Sequence, residues 1–172
     1  PDTAVDTGLR MLRAVEKFNE DFVISEGRPP IGMGAGINTG WGYLGEMGST
    51  KRHSYDVLGD AVSTAARIES KCKEYGCLLL VGGATVEQCE KNWFFLKIDD
   101  LAVKGKSVGI PIYTVLDLKG THAEKKSKDM HERMHEAYRA QKFDEAIWIC
   151  EKLMRHFDGK MEKYYTMWIE RC

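Results

Sequence analysis

The stretch IGMGAGINTG, residues 31–40, constrains the fold more than any other part of the chain. It follows the helix-breaking segment Gly27–Pro30 and reads as a strand over Ile31 to Thr39. Gly32, Gly34 and Gly36 fall at alternate positions, so one face of that strand carries no side chains. Such a strand is locally weak unless a neighbouring backbone packs close against the bare face. The glycines do not form a dinucleotide fingerprint, because Gly32, Gly34, Gly36 and Gly40 do not give G-x-G-x-x-G. No G-x-x-x-x-G-K-[ST] loop is present either.

The surrounding elements supply the layers that this strand needs. Val5, Leu9, Leu12, Val15 and Phe22 recur at helical spacing and predict an amphipathic helix over Thr3 to Phe22. Tyr43 to Met47 and His53 to Leu58 read as extended segments, with Gly48 to Arg52 as the hairpin connection. Gly59 and Asp60 make a turn with Asp60 as the expected N-cap, and a helix runs from Ala61 to Tyr75, ended by Gly76. CLLLV, residues 77–81, is a buried strand, and Thr85 and Gln88 predict a capping box. Trp93 to Val103 and Ile110 to Leu116 form a hairpin pair through Gly105 and Gly109. Strands mixed with helices predict an α/β or α+β layered domain over 1–118. A polar linker follows over 119–128, and an all-helical appendage over 129–172. Within the appendage AYRAQKFDEAIWICEKL resembles a tetratricopeptide helix pair, but in one copy rather than the three or so that a repeat array needs.

Composition removes several function classes. The 172 residues carry 25 Lys+Arg against 26 Asp+Glu, a net charge of −1, which excludes a strongly basic nucleic-acid binder. No apolar run approaches the ~20 residues that span a bilayer, so no membrane contact is expected from this chain. Five cysteines, an odd number with no C-x-x-C, argue against a disulfide framework or zinc finger, and a reducing cytoplasm is the simplest compartment.

Four features are able to carry chemistry. The glycine-rich strand is the first. The second is HSYDVLGDAVSTAARIES, residues 53–70, in which Asp56 precedes a helix and Ser63 and Arg67 lie four apart on one helix face. An arginine there suits a bound anion, and the same spacing equally fits a capped surface helix with a solvated Arg67. The third is VKGK, residues 103–106, where a glycine between lysines lets the backbone approach a phosphate. The fourth, His131-Glu132-Arg133-Met134-His135, fits H-E-x-x-H. It lies in the charged appendage with no further histidine in the expected continuation, so the zinc reading is set aside.

Taken in order, GAGINTGWGYLGEMGSTKRHSYDVLGDAVSTAARIES, KEYG and LAVKGKSVGIPIYTV closely resemble the class III nucleotide cyclase catalytic domain, with rhizobial-type bacterial adenylate cyclases the nearest match. The resemblance covers about Thr3 to Leu116. It implies an α+β ferredoxin-like palm, here lacking its opening strand, that works as a homodimer or as a heterodimer with another cyclase domain. It implies ATP as substrate, cyclic AMP and pyrophosphate as products, and two Mg²⁺ or Mn²⁺ ions at an interfacial site. By position, Asp56 is then the purine-selecting residue, Arg67 the transition-state arginine and Lys104 the holder of the terminal phosphates.

Two departures follow from the same comparison. The family's asparagine, one turn before the arginine, is Ser63 here, a shorter donor. The family's metal-binding aspartates precede the helix that opens this chain, and Asp2 and Asp6 do not stand in the expected settings. No metal ligand is therefore expected among the residues present, and the chain alone is expected to be inactive. A catalytically deficient, cyclase-like regulatory or dimerisation module is the alternative reading.

Overall fold

The computed structural model describes residues 1–49, 52–102, 109–116, 122–157 and 159–172. Helix α1 (Asp2–Phe18) runs on into a π-helical turn, Asn19–Ile24. There the Asn19 side chain clasps Ile31, donating to its carbonyl at 2.9 Å and accepting from its amide at 2.8 Å. The first turn of α1 is fixed by Asp2, whose carboxylate accepts from the Glu90 and Lys91 amides and from Trp93 Nε1. These bonds hold the Asp2 carboxyl below the usual carboxylate range.

Strand β1 spans Ala35–Ile37, shorter than the Ile31 to Thr39 expected. It pairs on one side, parallel to β4 (Leu79–Gly82), with Ala35 against Leu79 and Ile37 against Val81, so its length is set by that short partner. β5 (Phe94–Leu101) and β6 (Ile110–Leu116) pair antiparallel and complete a mixed sheet of order β1-β4-β6-β5. β2 (Tyr43–Ser49) and β3 (Arg52–Leu58) form a separate antiparallel hairpin.

The bare face of β1 is filled by backbone, as the glycine spacing requires. Helix α2 (Asp60–Ser70) lies so close that a Cβ on Gly36 would overlap the Ala65 carbonyl oxygen and sit 2.5 Å from the Glu69 nitrogen. A Cβ on Gly34 would be 3.1 Å from Cys72 Cβ. α2 ends at Ser70, and the short α3 (Cys72–Tyr75) follows, closed by Gly76 in the left-handed region at φ 66°.

Two expected caps are not formed. Gly59, not Asp60, is the N-cap of α2, and its carbonyl accepts from the Val62 and Ser63 amides. Thr85 lies within α4 (Gly83–Val86), fully buried, with its hydroxyl 2.9 Å from that of Thr39. A tertiary partner has replaced the local cap.

The sheet is buried on both faces. Val5 and Leu9 of α1 pack with Leu79, Val81, Phe95 and Val115 on one side. On the other, Ile68 of α2 joins Leu80, Leu96, Ile98 and Ile112 in one core with the C-terminal helices. Those helices are α5 (His122–Arg139), α6 (Phe143–His156) and α7 (Glu162–Arg171). α5 begins inside the stretch read as a linker. Met134, Ile149, Leu153, Tyr164 and Tyr165 put the helices into the same core as the sheet. Among the described residues, no helix is long and apolar enough to cross a membrane.

Candidate active site

The β2–β3 hairpin displays Asp56. Its register sets Tyr43 against Leu58, Gly45 against Asp56 and Met47 against Ser54. Residues directly opposite in an antiparallel pair project from the same face, so these six share one side of the hairpin. Asp56 is exposed, and one carboxylate oxygen accepts from the Val57 amide at 2.8 Å.

A single glycine links β3 to α2, which carries the next two candidates. Thr64 and Ile68 are the buried face of this helix, so Ser63 and Arg67 project from its solvent face. Ser63 lies in the first turn, where its amide reaches the Gly59 carbonyl at 3.2 Å. Among the described residues Arg67 has no ion pair. Lys104 lies outside the described residues, with the rest of VKGK.

Asp56, Ser63 and Arg67 are thus each exposed, the first on the hairpin and the other two on α2. A cleft of about 500 Å³ opens at the start of α2, among Asn38, Thr39, Trp41, Asp60, Thr64 and Glu87. Gly109 and Ile110, which follow the 103–108 stretch, form part of its wall.

The perturbed titrating groups lie elsewhere. His131 and His135 are pushed down to about 4 and about 3, foremost by burial, and His135 also by its histidine neighbour. Burial pushes the Cys77 and Cys150 thiols up to about 12. These groups mark the junction between helices and sheet. The H-E-x-x-H histidines are engaged there: His131 Nε2 donates to the Lys97 carbonyl at 2.6 Å, and its Nδ1 accepts from the Tyr165 hydroxyl at 2.9 Å. Glu132 faces solvent. Among the described residues no three His, Cys, Asp or Glu side chains come together as a metal site.

Sequence reasoning missed the apolar surface of the hairpin that carries Asp56. Trp41 is 97% exposed, Tyr43 83% and Tyr55 70%, and Leu44, Val57, Leu58 and Val62 are exposed beside them. The signal was present: YL and YDVL lack the polar alternation of a strand with one wet face.

Comparison with known proteins places this geometry in context. Residues 2–117 match the adenylate and guanylate cyclase catalytic domain family. An adenylate cyclase of Anabaena cylindrica is 37% identical over 120 residues, which cover 66% of this chain and 24% of that protein. The terminal-differentiation specific adenylate cyclase of Dictyostelium discoideum is 30% identical over 181 residues, covering 98% of this chain and 8% of its own length. Adenylate cyclase 1 of Rhizobium meliloti is 34% identical over 110 residues, covering 62% and 16%. The chain spans less than a quarter of each of these relatives.

Proposed function

Because the chain belongs to the adenylate and guanylate cyclase catalytic domain family, we propose that it supplies one half of an adenylate cyclase site. That site closes ATP to cyclic AMP and pyrophosphate at the interface of a homodimer, or of a heterodimer with another cyclase domain, in the cytoplasm. Asp56 accepts a hydrogen bond from the exocyclic amino group of adenine. Guanine presents a carbonyl oxygen at that position and is repelled. As the ribose 3′-oxygen attacks the α-phosphorus and pyrophosphate leaves, negative charge grows on the phosphoryl oxygens. The Arg67 guanidinium neutralises it, with the Ser63 hydroxyl one turn away and Lys104 on the terminal phosphates. Mg²⁺ or Mn²⁺, held by the other half of the interface, supplies charge neutralisation and nucleophile activation when bound.

The observation that carries this reading is the exposure of Asp56, Ser63 and Arg67 within one continuous segment, whose hairpin leaves Tyr43, Leu44, Tyr55 and Val57 open to solvent. A site completed by a second subunit needs its groups displayed in this way. Ser63, a shorter donor than the family's asparagine, favours a second reading, a catalytically deficient regulatory module.

A complementation assay separates the two. The chain is mixed with a cyclase domain that carries the metal aspartates but whose own transition-state arginine is replaced by alanine. With Mn²⁺ and ATP the mixture is expected to form cyclic AMP. Arg67→Ala is expected to lower that rate by about 10²–10³-fold, with the melting temperature unchanged because Arg67 is exposed. A silent mixture, or one indifferent to Arg67→Ala, overturns the catalytic reading. Equal stimulation of an intact partner by the wild-type and Arg67→Ala chains supports the regulatory one.

A further inference from the structure

We propose that Gly45 sets the width of the purine site, an inference that rests on the cyclase reading above. Gly45 lies directly across the hairpin from Asp56. On the same face the neighbouring pairs are Tyr43–Leu58 on one side and Met47–Ser54 on the other. The Asp56 carboxylate therefore has side chains before and behind it along the strands, and none across from it.

Nothing inside the chain asks for glycine at this place. A Cβ on Gly45 would meet no atom within 4 Å, whereas one on Gly36, Gly40, Gly82 or Gly83 would strike a neighbour. Gly45 is not among the residues with positive φ. A glycine in a strand interior weakens the strand and contributes no packing. The gap is accounted for by a flat ring lying over Gly45 with its hydrogen-bonding edge turned to Asp56, whose second carboxylate oxygen takes no bond among the described residues. A bicyclic purine fills the space that a side chain at 45 would take, and Tyr43 and Met47 flank it along the strand. Gly45 is thus a specificity-determining position for a purine nucleoside triphosphate.

The test uses Gly45→Ala and Gly45→Val in the complementation mixture. Both variants are expected to melt at or above the wild-type temperature, since valine suits a strand and no contact is lost. Gly45→Ala is expected to raise KM for ATP at least tenfold and to change kcat less. Gly45→Val is expected to abolish the rise in melting temperature that ATP gives the wild-type mixture. Wild-type KM and an intact ATP-induced shift in Gly45→Val overturn the inference and leave the cyclase reading standing. So does a lowered melting temperature in either variant, which assigns the glycine to the fold. A wild-type mixture that neither turns over ATP nor is stabilised by it overturns both readings.

Discussion

Gly36 presents only hydrogen to α2, and the closeness of the Ala65 carbonyl and the Glu69 amide leaves no way to accommodate more. Those two groups belong to the helix backbone and cannot swing aside as a side-chain end does. Gly36→Val is therefore expected to push α2 off the sheet, at the upper end of the ~1–3 kcal/mol that core overpacking costs. Gly32→Ala meets nothing and is expected to stay within about 0.5 kcal/mol of the parent. Urea midpoints of the two variants measure the contrast, and equal midpoints would remove the close-approach argument. The alternation of Gly32, Gly34 and Gly36 made this contact legible, because a bare strand face has few other uses. Asp2 shows the opposite case. Its partners Glu90, Lys91 and Trp93 are far away in the chain, and no local pattern connects them. The Thr85 cap failed for a related reason: the hydroxyl meets Thr39 across the fold.

The edge strand β5 shows how an element is specified by what docks on it. Its register slips between Lys97 and Asp99, and a bulge of this kind turns backbone groups out of the ladder. His131 takes the Lys97 carbonyl and Tyr164 takes that of Ile98, so α5 and α7 cover an edge that would otherwise recruit another strand. The H-E-x-x-H spacing was legible as two histidines on one helix face. It did not say whether they faced a metal or a strand edge, since both need the same spacing. Their burial has a consequence for acid stability. The folded state binds the His131 proton at about 4, whereas an unfolded imidazole binds it near 6.5. Between those values the unfolded chain holds more protons, so stability falls as the pH drops through 6.5 and levels off below the folded value. The loss from His131 is on the order of 3 kcal/mol by pH 4, and His135 adds to it in the same direction. Urea unfolding from pH 7.5 to 4.5 is expected to trace this fall, and a His131→Gln chain is expected to flatten it. An unchanged slope in that variant would mean that another group carries the acid limb.

At the scale of the whole molecule, the two faces of the sheet are well covered and the hairpin is not. α1 closes one face, and α2 with α5–α7 closes the other, in a core that runs without a break from the sheet into the C-terminal helices. The alternating strand and helix patterns made the α+β layering legible. The sequence left the helical appendage to pack on the main domain or on a partner, and the shared core is the former, although the charged residues 119–128 look like a boundary when read along the chain. The hairpin stands apart, with Tyr43, Leu44, Tyr55, Val57 and Leu58 open to solvent on both of its faces. Apolar surface this concentrated marks an association site. It lies in the segment that carries Asp56 and leads straight into Ser63 and Arg67. A second domain covering the face of Tyr43 and Leu58 would meet Asp56, and one covering the face of Leu44, Tyr55 and Val57 would be held by the same hairpin. Sedimentation velocity over a concentration series is therefore expected to show reversible self-association. Tyr55→Glu and Leu44→Glu are expected to shift the protein to monomer without lowering its melting temperature, since neither side chain is buried in the isolated chain. The same substitutions are expected to abolish complementation with the metal-bearing partner domain, although neither residue is assigned a contact with ATP. A stable monomer at every concentration, or full complementation by the glutamate variants, would place the interface elsewhere and leave the exposed hairpin without a role in catalysis.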